Sequence, residues 1–370
     1  MPLELNSVYV TAAIELLAMI VHATVIAGVL LSRRRAPSAT LAWILFIVLA
    51  PVVGAVTYLA VGRTRMRRSV KRAGRAEAQL RDVLSRHGTR TQEFGESLPE
   101  PRTAAQIRLG NALASRTASW GNSARVLNDA ATTYREMIAA IDQAHDHVHV
   151  EFYIIQPDVV GTTLREHLVR KAAEGVEVRL LCDAIGSVAL PPGFWEPLRA
   201  AGGHAASFAP LMRLVPRLRR RDRIDFRNHR KIVVVDGRVG FTGGINVGRE
   251  YLGLDPNIGR WRDAHVRIEG PAVVSLQQAF VQDWLMTTGE TLESSRYFSF
   301  GQPPAGNSLV QVIDSGPDRT WPSMELYHAQ AIALAQDRVY ITNPYFIPSQ
   351  TIEAVLTQAA LRGVDVRLLL

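Results

Sequence analysis

The residues best suited to chemistry in this sequence are His229 and Lys231, two apart in the run Asn228-His229-Arg230-Lys231. Side chains alternate along a strand, so an imidazole and an ammonium at this spacing face the same side. Four apolar, β-forming residues follow, Ile232 to Val235, and then Asp236-Gly237, a pair suited to a tight turn. A second strand, Val239 to Thr242, leads to Gly243, Gly244 and Asn246. Glycines admit close backbone approach to a ligand, and an asparagine amide can donate to an anion. A neutral imidazole is a nucleophile near neutral pH. Beside it, a lysine and an amide donor would hold the oxygens of a phosphoryl group as it passes through a five-coordinate state. The pattern suits phosphoryl transfer through a histidine. Fixed cations take the place of a divalent metal, so neither metal nor cofactor is expected. A second histidine is the natural acid for the leaving oxygen.

Such a pair needs a sheet to carry it. Tyr134 to Ala144 is apolar at helical spacing, Val148 to Ile155 is strand-like, Leu164 to Ala173 is helical, and Val176 to Leu181 is again a strand. This alternation predicts an α/β fold with a mixed, mostly parallel sheet flanked by helices. The pattern then recurs: helix Tyr327 to Ala335, strand Val339 to Thr342, helix Ile352 to Leu361 and strand Val364 to Leu370. Glu-Gly-Val-Glu-Val-Arg-Leu-Leu from Glu174 nearly coincides with Arg-Gly-Val-Asp-Val-Arg-Leu-Leu from Arg362, and the segments from Asp146 and Asp337 also correspond. Two matched segments in one order predict a duplicated lobe. The second copy stops in mid-strand at Leu370, so the chain is expected to be the N-terminal part of a longer two-lobed protein.

The His-x-Lys-x4-Asp motif followed by Gly-Gly-x-Asn resembles the signature of the phospholipase D superfamily. The wider context resembles the bacterial cardiolipin synthases within it. That context comprises EFYII, HRKIVVVDG, TGGINVGREYLG, WRDAHVRIEGPAV and NPYFIP, behind two apolar N-terminal segments. The resemblance implies that two phosphatidylglycerol molecules yield cardiolipin and glycerol through a phosphatidyl-histidine. His229 would carry the covalent group or act as acid/base. Lys231 and Asn246 would bind phosphate beside Gly243 and Gly244. Asp236 belongs to the catalytic motif, where it would support geometry and charge rather than touch substrate. The family carries two such motifs, one per lobe. No second His-x-Lys occurs between Gly301 and Leu370, and the repeat spacing projects it near position 417.

The expected domains are a membrane anchor (1–62), a basic linker region (63–125), a first lobe with the motif (126–290), a linker (291–308) and an incomplete second lobe (309–370). In the anchor, two apolar stretches, about 8–31 and 41–61, are long enough to cross a bilayer as helices. Pro51 lies in the second, and Glu15 and His22 in the first. Arg33 to Arg35 join the two, and a larger basic cluster from Arg63 to Arg75 follows. By the positive-inside rule the bulk of the chain is expected on the cytoplasmic side of a cell membrane that it crosses more than once. Basic residues near such a surface attract anionic headgroups by about 1 kcal/mol each.

The composition agrees. Apolar residues are 47% and charged residues 21%, which excludes a disordered chain, and the lone Cys182 excludes a disulfide framework. A net charge of +8 favours anionic partners. The apolar segments favour phosphatidylglycerol and anionic membrane lipid over nucleic acid, and aromatic residues interleaved with basic ones, as stacking on bases needs, are not prominent. Three further residues have a possible supporting role: Glu151 on the first strand, and Asp263 and His265 in the WRDAH block. The arginine run Arg217 to Arg223 is a solvated face or an anionic-lipid contact. His145, His147 and His149 lack a third ligand at suitable spacing and read as helix-end and strand-end histidines. Two alternatives to a transferase stand beside this reading. One is a phosphodiester hydrolase; the other is a non-catalytic membrane protein that binds anionic lipid, should the chain end at Leu370.

Overall fold

The computed structural model describes residues 15–16, 19–31, 37–59, 74, 78, 100–114, 116–208, 227–299, 303–316, 319 and 321–370. They divide into an N-terminal unit within residues 1–67 and a larger unit after it. In the N-terminal unit, residues 19–30 are helical, followed by α1 (Pro37–Leu49) and α2 (Pro51–Thr57). Its small core gathers Val25, Val29, Ile47, Ala55 and Tyr58. The second expected span is therefore not one helix. Ala50 leaves the helical region at φ −132°, ψ 73°, and Pro51 starts a new helix. Proline lacks the N–H that would continue the ladder and disfavours the helical region for the residue before it. Among the described residues no helix is long and apolar enough to cross a membrane. Residues 8–14 and 17–18 of the first expected span lie outside the described residues, as do the arginines at 217–223.

The larger unit is built on an eight-stranded sheet. Its elements in chain order are α3 (Pro101–Leu113), β1 (Ser119–Leu127), α4 (Ala130–Asp142), β2 (His147–Phe152), α5 (Val159–Ala173), β3 (Glu177–Asp183), α6 (Glu196–Ala200), β4 (His204–Phe208), β5 (Ile232–Val235), β6 (Val239–Gly243), β7 (His265–Glu269), α7 (Val273–Thr288) and β8 (Ser308–Val310). The strand order is β4-β3-β2-β5-β6-β7-β1-β8. The sheet is mixed, as expected, but only β4, β3 and β2 run parallel, and every other neighbouring pair is antiparallel. The reason is local. The turn at Asp236, Gly237 and Arg238 makes β5 and β6 a hairpin, and so short a turn can join only antiparallel strands. β1 starts inside the expected linker region and pairs with both β7 and β8, so the sheet reaches beyond the expected limits of the first lobe at both ends.

Side-chain parity sorts the sheet into two faces. On one, Val148, Val150, Val178, Leu180, Val233 and Val235 pack under Met137 and Ile141 of α4 and Leu164 and Leu168 of α5. On the other, Ile232, Val234 and Ile268 meet Leu276, Phe280 and Trp284 of α7. The β2 histidines fall on the α7 face. His149 stacks on Phe280 at 4.5 Å and shares a hydrogen bond with Gln277.

After the sheet come α8 (Ser323–Leu334), β9 (Arg338–Thr342), α9 (Gln350–Leu361) and β10 (Asp365–Leu369), with β9 and β10 parallel. This β-α-β unit repeats the loop bonds of β2-α5-β3. The Gly175 amide donates to Ala172 O, Val176 to Lys171 O and Glu177 to Asp146 O; Gly363 donates to Ala360 O, Val364 to Ala359 O and Asp365 to Asp337 O. Both glycines sit at positive φ, 88° and 87°, where a side chain would be strained.

Asp236 ties the hairpin to β2. Its carboxylate accepts the backbone amides of His145, Asp146 and His147, each at 2.9 Å. It holds φ +52°, the only described non-glycine residue at positive φ. Asp236→Ala frees three amides and keeps the strained backbone, at a cost of about 3 kcal/mol. The expected outcome is a lower denaturant midpoint with unchanged activity per folded molecule; a loss of turnover in fully folded protein would return Asp236 to the chemistry.

Candidate active site

The chain ahead of β5 keeps strand-like alternation, which splits the motif between the two sides of the sheet. Asn228 and Arg230 share the parity of Ile232 and Val234 and point toward α7. His229 and Lys231 share the parity of Val233 and Val235 and point the other way. On the α7 side the Asn228 amide donates to Glu151 and to Asp283, the latter at 3.0 Å. The Arg230 guanidinium pairs with Asp283 and, at 3.4 Å, with Asp314, which also pairs with Arg116 (2.5 Å) and Arg319. Burial pushes the Asp314 carboxyl up, but the three guanidiniums overcome it and hold the group at about 2. Burial, and then Asp283, push the Glu151 carboxyl well above the usual range. This buried cluster anchors the backbone from which the other two side chains project.

On the open side His229 is exposed, and its ring stacks on Tyr153 with centroids 3.8 Å apart and an interplanar angle of 17°. Tyr153 follows directly on β2, so the strand end sets the imidazole plane. The Lys231 ammonium lies 5.7 Å from the same ring and donates to His229 O at 2.7 Å. Burial and then Lys231 push the His229 imidazole below its ordinary value, with Asp183 opposing. Burial also lowers Lys231, with Asp263 opposing. His265, at the start of β7, is fully buried, and neither ring nitrogen has a hydrogen-bond partner among the described residues. Burial and the Lys231 charge push it down to about 4, so it is neutral at pH 7. The mouth thus holds two neutral imidazoles around one ammonium.

The remaining expected residues are not all gathered there. Asp236 stands at the other end of β5 from Lys231, about 16 Å away at 3.3 Å per residue. There its carboxylate anchors the turn. The Asn246 amide is already engaged, donating to the Tyr251 hydroxyl at 2.6 Å and accepting the Ile154 amide at 3.1 Å. In this way one N–H and the carbonyl of the Asn246 amide fix the loop beside Tyr153. Gly243 and Gly244 do allow close approach, but by the chain itself. A Cβ on Gly243 would meet Ala264 O at 2.5 Å and His265 Nδ1 at 2.7 Å, and one on Gly244 would collide with the Asp263 carboxylate. These glycines seat Asp263 and His265 next to Lys231. Glu151 lies beneath the site, reaching it through Asn228. Sequence reading missed Asn228, Arg230, Asp283 and Asp314. The same alternation that paired His229 with Lys231 pairs Asn228 with Arg230, and following it would have found half of them.

A family model described as "Cardiolipin synthase, PLD-like domain" matches residues 137–284, and one described as "Phospholipase_D-nuclease N-terminal" matches 22–63. A protein of Geobacillus kaustophilus named cardiolipin synthase is 39% identical over 93% of this chain and 68% of its own length. One of the same name from Alkalihalophilus pseudofirmus is 39% identical over 91% of this chain and 66% of its own. The chain therefore spans about two thirds of the relatives it matches. The solved structure of a phosphatidylserine synthase from Haemophilus influenzae is 14% identical over 71% of this chain and 65% of its own, with a TM-score of 0.47.

Two outcomes test the buried cluster. Arg230→Met removes the cation paired with the buried Asp283 carboxylate and should cost about 3–5 kcal/mol, read as a lower melting temperature. Asp314 is depressed in the folded state, so its contribution is full above its unfolded pKa, near 4, and is lost as pH falls toward 2. Asp314→Asn should flatten the stability–pH curve in that window; an unchanged slope would show that the carboxylate is not held ionised.

Proposed function

The chain belongs to the cardiolipin synthase family, and from that premise we propose that it moves a phosphatidyl group between two phosphatidylglycerol molecules, giving cardiolipin and glycerol. One observation carries the proposal: an exposed, neutral imidazole held by Tyr153 with the Lys231 ammonium at its side. In this reading a ring nitrogen of His229 bonds to phosphorus. The bond from phosphorus to the glycerol headgroup oxygen breaks, and that oxygen takes a proton and leaves as glycerol. The headgroup hydroxyl of a second phosphatidylglycerol then attacks, loses its proton, and takes the phosphatidyl group from the histidine. Lys231 compensates charge on the non-bridging oxygens in both steps. The family resemblance assigns the first proton to a histidine of a second motif in a second lobe. The loop bonds shared by β2-α5-β3 and β9-α9-β10 support reading residues 309–370 as the start of that lobe.

The lipid substrate places the protein at a cell membrane. The N-terminal unit supports this with exposed leucines, valines and isoleucines along its helices. The larger basic cluster, from Arg63 to Arg75, favours a cytoplasmic position for the catalytic unit.

The test is turnover of labelled phosphatidylglycerol by the full-length gene product in detergent, with products separated by chromatography. Cardiolipin and glycerol should appear together and vanish in His229→Ala. Phosphatidic acid in place of cardiolipin would mean that water is the acceptor. Lys231→Ala should lower kcat by a factor of about 100–1,000, as loss of a transition-state charge partner does. Because the folded state depresses His229, the acidic fall of kcat/KM should lie below pH 6.5; a midpoint above 6.5 would contradict a neutral nucleophile.

A further inference from the structure

The apolar stretch after Arg35 reverses direction in the middle. Ala50 separates α1 from α2, and the two helices lie against each other on either side of it. A Cβ on Gly54 would meet Phe46 O at 2.6 Å and the Ile47 Cα at 2.8 Å. Further from the bend, Trp43 and Tyr58 touch ring edge to face, with centroids 5.5 Å apart. Residues 43 and 58 are nearly equidistant in sequence from Ala50, so the legs run side by side and antiparallel. A helix bent through less than a reversal would part them.

The outside of this hairpin is apolar, most of all at its tip. Leu49 is 81% exposed and Val52 73%, with Leu45, Val48, Val53 and Val56 exposed beside them. No charged residue occurs from Ala36 to Gly62, whereas Arg33, Arg34 and Arg35 precede the hairpin and Arg63, Arg65, Arg67 and Arg68 follow it. A leg of 13 residues is about 20 Å long, short of the roughly 30 Å of a bilayer's hydrocarbon. Both legs make their own helical hydrogen bonds, as insertion in lipid requires.

We propose that residues 37–59 form a re-entrant hairpin whose tip enters the hydrocarbon and whose two basic ends stay on the same side of the membrane. The occupant of the apolar face is lipid, and the flanking arginines meet anionic headgroups at one surface. The two basic flanks, which give opposite signals for a spanning helix, then agree. The proposal rests on the reading of the N-terminal unit as a membrane-attachment unit and adds its topology.

The experiment uses the full chain in sealed membrane vesicles of known orientation. The single native cysteine is removed as Cys182→Ser, and cysteines are placed one at a time by Ser38→Cys and Ser69→Cys. A membrane-impermeant maleimide is added outside, and in a second sample after permeabilisation. The hairpin predicts that both positions behave alike, either both labelled before permeabilisation or both only after it. Labelling of one position before and the other only after would mean that the segment crosses, and would overturn the hairpin. A separate carbonate wash tests the underlying reading. Retention of the chain in the pellet supports membrane insertion, while release into the supernatant would overturn both statements.

Discussion

The site depends on a single buried charge cluster. Arg230 and Asn228 reach through the sheet to Glu151, Asp283 and Asp314, with Arg116 and Arg319 closing the far side. Buried charges are stable only when paired, and a pair with one member removed is more costly than none. The stretch ahead of β5 is therefore pinned on one face. The alternation of an extended chain then delivers His229 and Lys231 to the other face with little freedom left. Arginine suits this use. Its fork can meet two carboxylates at once and it does not lose its charge on burial.

The same logic sets the protonation states at the mouth. Burial first, and then the charge of Lys231, one of only three lysines among 42 basic residues, lowers both His229 and His265. In the proposed reaction, an imidazole held beside a fixed cation is prepared for an anionic phosphodiester before any substrate arrives. Gly243 and Gly244 serve this electrostatic arrangement indirectly, because only a chain without Cβ atoms lets the Asp263 carboxylate and the His265 backbone come so near.

Much of this was legible in the residues. The period-two pattern gave the β5–β6 hairpin and the shared face of His229 and Lys231, and the helix and strand runs gave α4, β2, α5 and β3 within a few residues. Three things were not legible. β1 (Ser-Trp-Gly-Asn-Ser-Ala-Arg-Val-Leu) has few β-forming residues, and its place is set by partners far along the chain. The Asn246 carbonyl and the Asp236 carboxylate accept backbone amides from far along the chain, which spacing cannot show. The reversal at Ala50 was hidden because apolar content measures affinity for lipid and not chain direction. Pro51 was the local sign of it, and Gly54 was the residue that made the close return possible.

The position of β1 has a consequence for the order of assembly. The β2-α5-β3 unit closes on itself through short-range bonds and can form as soon as it is made. β1 is synthesised before it, yet Ser123 must wait for Glu269 and Asn122 for Ser308. Contacts of such separation form late and slowly. During synthesis β1 is an unpaired strand with both edges open, joined to an N-terminal unit of high apolar content. Its polar composition then has a use in biogenesis. A strand rich in serine, asparagine and glycine can wait in water, where a run of valine and isoleucine would find another chain.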